Sequence, residues 1–161
     1  ETDTEGSDLI SPKLSKGPDR FLDIAKKLNT KHESLIVILT GKRRNYLISE
    51  LEKANIKYLY FEMISFEILN ELYNILDLYI VSSRYEGGPQ AIVECSIIKT
   101  PIISTDVGIA SEILNKKSIF TMKDFEYAEA DIEHAFKKVQ SLTIPSGFTQ
   151  FNNLINEINA G

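Results

Sequence analysis

Two glutamates eight positions apart, Glu86 and Glu94, stand in the stretch SRYEGGPQAIVEC at 83–95. Glu94 lies among Ala91, Ile92, Val93, Cys95, Ile97 and Ile98, where an unpaired carboxylate is costly to desolvate. Gly87 and Gly88 remove the side chains that would hold a ligand off the backbone, and Pro89 suits the first turn of a helix. Amide donors at a positive helix end favour phosphate or sugar oxygens. At the α-helical rise Glu94 lies roughly 7 to 8 Å past that helix start. One ligand could span both carboxylates, with two ribose hydroxyls on Glu94 and a second sugar beside Glu86 near the phosphates. The plainer alternative makes Glu86 a capping carboxylate and Glu94 a partly exposed helical glutamate.

The elements that must position these residues follow from two alternating periodicities. KGPDRFLDIAKKL predicts a helix with Phe21, Leu22, Ala25 and Leu28 on one face. LIVILTG at 35–41 reads as a strand buried on both faces, followed by a helix over 46–54 and a strand over 57–61. A helix over 65–76 and the strand LYIVSS at 78–83 lead to the helix starting at Pro89. PIIST, a short helix at 110–114 and SIFT come next. Two helices close the chain, one with Phe125, Ala128, Ile132, Ala135, Phe136 and Val139 on one stripe, the other with Phe151, Leu154, Ile155 and Ile158; both stripes read as core. This alternation predicts α/β architecture with a doubly wound parallel sheet, Rossmann-like, and a single domain over 11–161. Residues 1–10 form a polar segment that need not be ordered, and whether the first strand is complete stays open. Ligands bind at the carboxyl ends of strands in such sheets.

The totals narrow the chemistry. At 161 residues, 43% hydrophobic and 25% charged, the chain has globular composition, enough for one well-buried core. A net charge of -5 argues against a nucleic-acid surface. One cysteine, Cys95, excludes an internal disulfide and points to a reducing, cytoplasmic setting. It reads as core rather than nucleophile. With His32 and His134 as the chain's two histidines, both read as surface residues, and His-based triads or metal sites are poorly supported. No Asp-x-Asp follows a predicted strand, so neither a metal nor a cofactor is expected. No membrane-spanning run is present, and the opening Glu1 suggests a fragment of a longer protein.

With these residues in order, the chain resembles the retaining glycosyltransferases of family 4, also called group 1, in the carboxyl-terminal domain of their two-domain GT-B fold. Glu86, Gly87, Pro89, Glu94 and Pro101 match the family's Glu-Gly-x-Pro motif, its second Glu and its Pro-led strand. SKGPDRFLDIAKKL, LNELYNILDLYIVSSRYEGGP and PIISTDVGIASEIL match its flanking segments, so the likeness covers about 14–120. The resemblance implies a donor-binding domain for a UDP- or GDP-linked nucleotide sugar. It places Lys16 on the diphosphate, Glu86 at the donor sugar as the catalytic residue, Gly87, Gly88, Pro89 and Gln90 around the sugar and β-phosphate, Glu94 on the ribose and Met63 beside the base. The acceptor would be a glycan or lipid-linked sugar, held largely by an amino-terminal domain absent here. Any membrane contact, at the inner face, would belong to the parent protein.

Three positions depart from the family pattern. Ser11 holds the place of its diphosphate-binding arginine, with Lys13 as a substitute cation, and Glu62 and Lys99 stand where glycine is usual. Two other readings compete: a glycosidase using Glu86 and Glu94 as its carboxyl pair, and a regulatory α/β module that binds a protein partner without nucleotide sugar. GKRR at 41–44 reads as an exposed helix start able to attract phosphate.

Overall fold

A computed structural model describes residues 11–160; the expected polar segment 1–10 and any first strand within it lie outside the described residues. Gly17, at φ 65°, introduces α1 (Pro18–Lys31), whose Pro18 occupies the first turn with Asp19 behind it, where a missing N–H costs nothing and a negative charge is favoured. β1 (Ile36–Thr40), α2 (Asn45–Lys53) and β2 (Lys57–Phe61) form a parallel crossover unit, with Val37 opposite Tyr58 and Leu39 opposite Tyr60. α3 (Phe66–Ile75) is capped by Ser65, whose hydroxyl accepts the Ile68 amide. It leads to β3 (Tyr79–Val81), α4 (Gln90–Ile98), β4 (Ile102–Thr105), α5 (Ala110–Ile113) and β5 (Ile119–Phe120). α6 (Ile132–Val139) and α7 (Ser146–Ala160) end the chain.

Every strand pairing is parallel. Among the described residues the strands form two ladders, β1 with β2, and β3–β4–β5 in that order. The expected parallel α/β, Rossmann-like domain is present, with the sheet divided into these ladders.

α1 joins the two ladders. Leu22 and Ala25 pack with Val37, Leu39, Leu47, Leu51 and Ile56, while Ile24, 1% exposed, packs with Ile103 and Phe120 under the other ladder. A further cluster, with Ile92, Cys95, Ile102, Ala110 and Val139 at its centre, fills the space between α4, α5, α6 and β4. Fully burying a side chain such as Leu51 or Ile92 contributes about 1.5 to 3 kcal/mol.

Four expectations change. β3 stops at Val81 rather than running to Ser83, because the Ser82 hydroxyl donates to the Gly17 carbonyl and the Ser83 carbonyl accepts from the Thr105 hydroxyl rather than extending a ladder. The SIFT strand shrinks to Ile119–Phe120, with Ser118 ending a 3-10 turn. The stripe from Phe125 to Val139 is two elements, a 3-10 turn over Phe125–Tyr127 and then α6. The Asp131 carboxylate accepts the His134 amide and starts a separate helix there. Phe125 and Ala128 join the cluster of Ile24, while Ala135 and Val139 join that of Ile92. Finally, the stripe of α7 is not core: Phe151 is 57% exposed and Ile158 66%. His32 is exposed and His134 half-buried.

Candidate functional site

The centre of the site is a docking between a turn and a loop that are far apart in sequence. A 3-10 turn, Leu14–Lys16, precedes α1, and residues 82–89 link β3 to α4. The Ser15 carbonyl accepts the Arg84 amide at 2.8 Å and the Tyr85 amide at 3.3 Å. Ser82 Oγ donates to the Gly17 carbonyl at 2.9 Å. Arg84 Nη1 donates to the Leu14 carbonyl at 2.8 Å, and its guanidinium holds both oxygens of Asp19, at 2.7 and 2.5 Å. That fork draws the Asp19 carboxyl below its ordinary range, chiefly by hydrogen bonding, against a desolvation effect that raises it. Gly17 permits the approach, since a Cβ there would stand 2.0 Å from the Ser82 carbonyl oxygen.

This docking brings Lys16 to Glu86. Lys16 Nζ donates to Glu86 Oε1 at 2.5 Å, and Ser83 Oγ donates to Glu86 Oε2 at 2.7 Å. Both carboxylate oxygens of Glu86 therefore have partners, with the side chain 11% exposed. Ser83 is itself held through its carbonyl, which accepts from Thr105 Oγ1 at 2.7 Å. A carboxylate pinned between an ammonium and a hydroxyl is set to accept hydrogen bonds in a fixed direction.

Beside this pair, Gly87 and Gly88 are exposed, and a Cβ on either would meet nothing within 4 Å. The backbone here borders open space. On its other side the loop is packed tightly: Gly108, at φ 53°, approaches so closely that a Cβ would lie 2.8 Å from the Gly87 oxygen and 2.9 Å from Pro89 Cδ. Pro89, buried, is the N-cap of α4 rather than its first residue, and Gln90, exposed, opens the helix.

Glu94 sits in the second turn of α4 and is half-buried. Its partner inside the chain is Tyr73, whose hydroxyl donates to Glu94 Oε2 at 2.9 Å. A tyrosine from α3 thus supplies a partner for this carboxylate within the chain. The structure brings together Lys16, Glu86, Gly87, Gly88, Pro89 and Gln90 around one loop, with Glu94 following on its helix. Met63 is 73% exposed on the loop after β2.

The departures from the family pattern also have places. Ser11 is exposed, and Lys13 is half-buried at the start of the 3-10 turn. Lys99 occupies a left-handed position at φ 61° ending α4, and pairs with Glu133 at 2.9 Å. In GKRR, Arg44 Nε donates to the Thr40 carbonyl at 2.8 Å, which fastens the start of α2. Arg84, Tyr73 and Gly108 were not singled out for a role in the sequence. Only Gly108, a glycine shortly after a strand, carried a local signal.

A Rossmann-like domain with a glycine loop leading from a parallel strand into a helix defines a class of phosphate- and nucleotide-handling folds. The family model for glycosyl transferases group 1 matches residues 11–143. The chain belongs to the group 1 glycosyl transferases. No curated protein matches it significantly. Among solved structures it is similar to Anabaena HepE in complex with UDP, at 18% identity and TM-score 0.63, covering 91% of this chain and 45% of that one. It is also similar to a mutant of S. aureus TarM in complex with Fondaparinux, alpha-GlcNAc-glycerol and UDP, at 17% identity and TM-score 0.57, covering 85% of this chain and 28% of that one. The fold is thus that of one Rossmann-like domain of a GT-B glycosyltransferase, and the chain spans less than half the length of either structure. No helix among the described residues is long and apolar enough to cross a membrane.

Proposed function

We propose that this chain is the donor-binding domain of a retaining, family 4 glycosyltransferase, taking a hexose from a nucleoside diphosphate. The observation that carries the reading is the convergence of Lys16 and Glu86 beside the open Gly87–Gly88 backbone. In the reaction the bond from the anomeric carbon to the diphosphate oxygen breaks, a bond to the acceptor hydroxyl oxygen forms, and the acceptor proton passes to the departing diphosphate oxygen. Negative charge grows on the departing diphosphate, where Lys16, the loop amides and the start of α4 provide preorganised positive potential. Glu86, held in direction by Lys16 and Ser83, faces the sugar and accepts its hydroxyls. Glu94 accepts the ribose hydroxyls, Pro89 and Gln90 shape the helix start over the sugar and β-phosphate, and Met63 flanks the base. No resident metal is assigned a part.

The UDP in both similar structures favours a uridine donor over a guanosine one. The acceptor, a glycan or lipid-linked sugar, is assigned to an amino-terminal domain of the parent protein. The parent is placed in the cytoplasm, where it could work at the inner face of a membrane.

Calorimetric titration with UDP, GDP and ADP tests the reading. One nucleotide should bind, and Glu94→Ala should weaken it roughly 10- to 100-fold, the effect of losing a charge-assisted contact. Failure of all three to bind would sink the assignment. Appreciable sugar transfer by this chain alone would refute the division of labour.

A further inference from the structure

We infer that Tyr73 is the positioning residue that sets the plane of the Glu94 carboxylate and, through it, the preference of the site for ribose over deoxyribose. The inference rests on the donor reading above. A glutamate carboxylate rotates about a broad, weakly preferred terminal torsion, so a half-exposed one presents no fixed pair of acceptors. The Tyr73 hydroxyl removes that freedom by donating to Oε2 at 2.9 Å from across the α3–α4 contact.

Tyr73 is itself immobilised. It is 8% exposed, its ring meets Tyr79 edge-on at 5.5 Å, and its carbonyl accepts from the buried Thr100 hydroxyl at 2.8 Å. Burial, with smaller contributions from Tyr79 and Glu94, pushes the phenol well above its ordinary range. The hydroxyl thus keeps its proton and donates throughout the working pH range. With one lone pair of Oε2 engaged, Oε1 and the other Oε2 lone pair face a ligand at a fixed angle, an arrangement suited to two neighbouring hydroxyls. A diol loses less freedom on meeting acceptors that are already oriented.

The experiment titrates UDP and 2′-deoxy-UDP into the wild type, Glu94→Ala and Tyr73→Phe. The wild type should prefer UDP by about tenfold or more, and Glu94→Ala should bind both alike. Tyr73→Phe keeps the ring packing; its preference should fall to about threefold or less, with the loss of affinity for 2′-deoxy-UDP, which keeps one of the two hydroxyls, smaller than the loss for UDP. Retention of the full preference by Tyr73→Phe overturns the inference, and so does an equal loss of both ligands, which would make Tyr73 a packing residue only. Absence of any preference in the wild type, or its persistence in Glu94→Ala, overturns the ribose role of Glu94, and failure of the wild type to bind UDP overturns the donor reading itself; both are seen without the Tyr73 variant. A second measurement needs no variant: the NMR signals of the buried Tyr73 ring should shift on saturation with UDP and less with 2′-deoxy-UDP. An identical response to both ligands counts against the inference.

Discussion

Lys16 and Glu86 are 70 positions apart in the chain and 2.5 Å apart in the fold. Lys16 ends a short turn and Glu86 sits in the loop before α4, so their meeting depends on how the turn docks against the exit of β3. In the proposed function, a diphosphate entering beside them competes with Glu86 for the ammonium. Lys16→Met should therefore weaken UDP roughly 10- to 100-fold while leaving the affinity for uridine near its original value. The pair is mostly buried, 22% and 11% exposed, so losing Lys16 also destabilises the fold, and the binding comparison is made on a variant whose denaturation midpoint shows that it is folded. Calorimetry with UDP, UMP and uridine separates the contributions, and an equal loss for uridine would remove the phosphate role.

Gly17→Ala tests the docking. A Cβ would lie 2.0 Å from the Ser82 carbonyl oxygen, on a residue at φ 65°. Left-handed strain and overpacking together should cost about 3 kcal/mol or more. The cost should appear as a lower urea midpoint with an unchanged slope.

The Arg84–Asp19 pair carries a pH signature. Its hydrogen bonds hold the Asp19 carboxyl below its ordinary 3.8. A depressed carboxyl contributes stability that is present above the unfolded-state value and lost as pH falls through the folded one. Denaturation of the wild type, Arg84→Met, Asp19→Asn and the double variant should give a coupling of about 1 kcal/mol at pH 6, discounted for partial exposure. That coupling should fade below about pH 4, starting from the ordinary carboxylate range. A coupling unchanged at low pH would contradict the assignment.

Cys95 should be inert. It is fully buried, and burial, with the Glu94 charge adding to it, pushes its thiol up to about 12. A thiol reagent at pH 8 should label the unfolded chain quickly and the native chain only as fast as it opens. Rapid labelling of the native protein would show that the core around α4 is looser than its packing implies.

The fold was legible wherever one segment carried its own signal. The β-branched run at 36–40, Pro18 after Gly17, and Ser65 ahead of an apolar face each announced an element that is present. Glu86, Gly87, Gly88 and Pro89 could be found as types and spacings, Lys16 and Gln90 only through the family resemblance, and they do gather at one loop. The pairings were not legible. Tyr73 lies 21 positions before Glu94 and Arg84 lies 65 after Asp19, and no periodicity tells which polar groups on different elements will meet. The apolar stripe of α7 misled for a related reason: amphipathic spacing marks a face suited to burial without saying that the described chain buries it. Here Leu154 and Ile158 remain exposed.

Two strand ladders that share no pairing within the described residues could melt one after the other. α1 opposes this by acting as a keystone: Leu22 and Ala25 belong to one half, Ile24 to the other. Freeing either half strips apolar cover from the same helix, so the penalty for local melting is shared, and the halves are bound into one cooperative unit. The helix also begins immediately after Gly17 and Lys16, which puts the Lys16–Glu86 end of the candidate site on the part of the molecule least able to move alone.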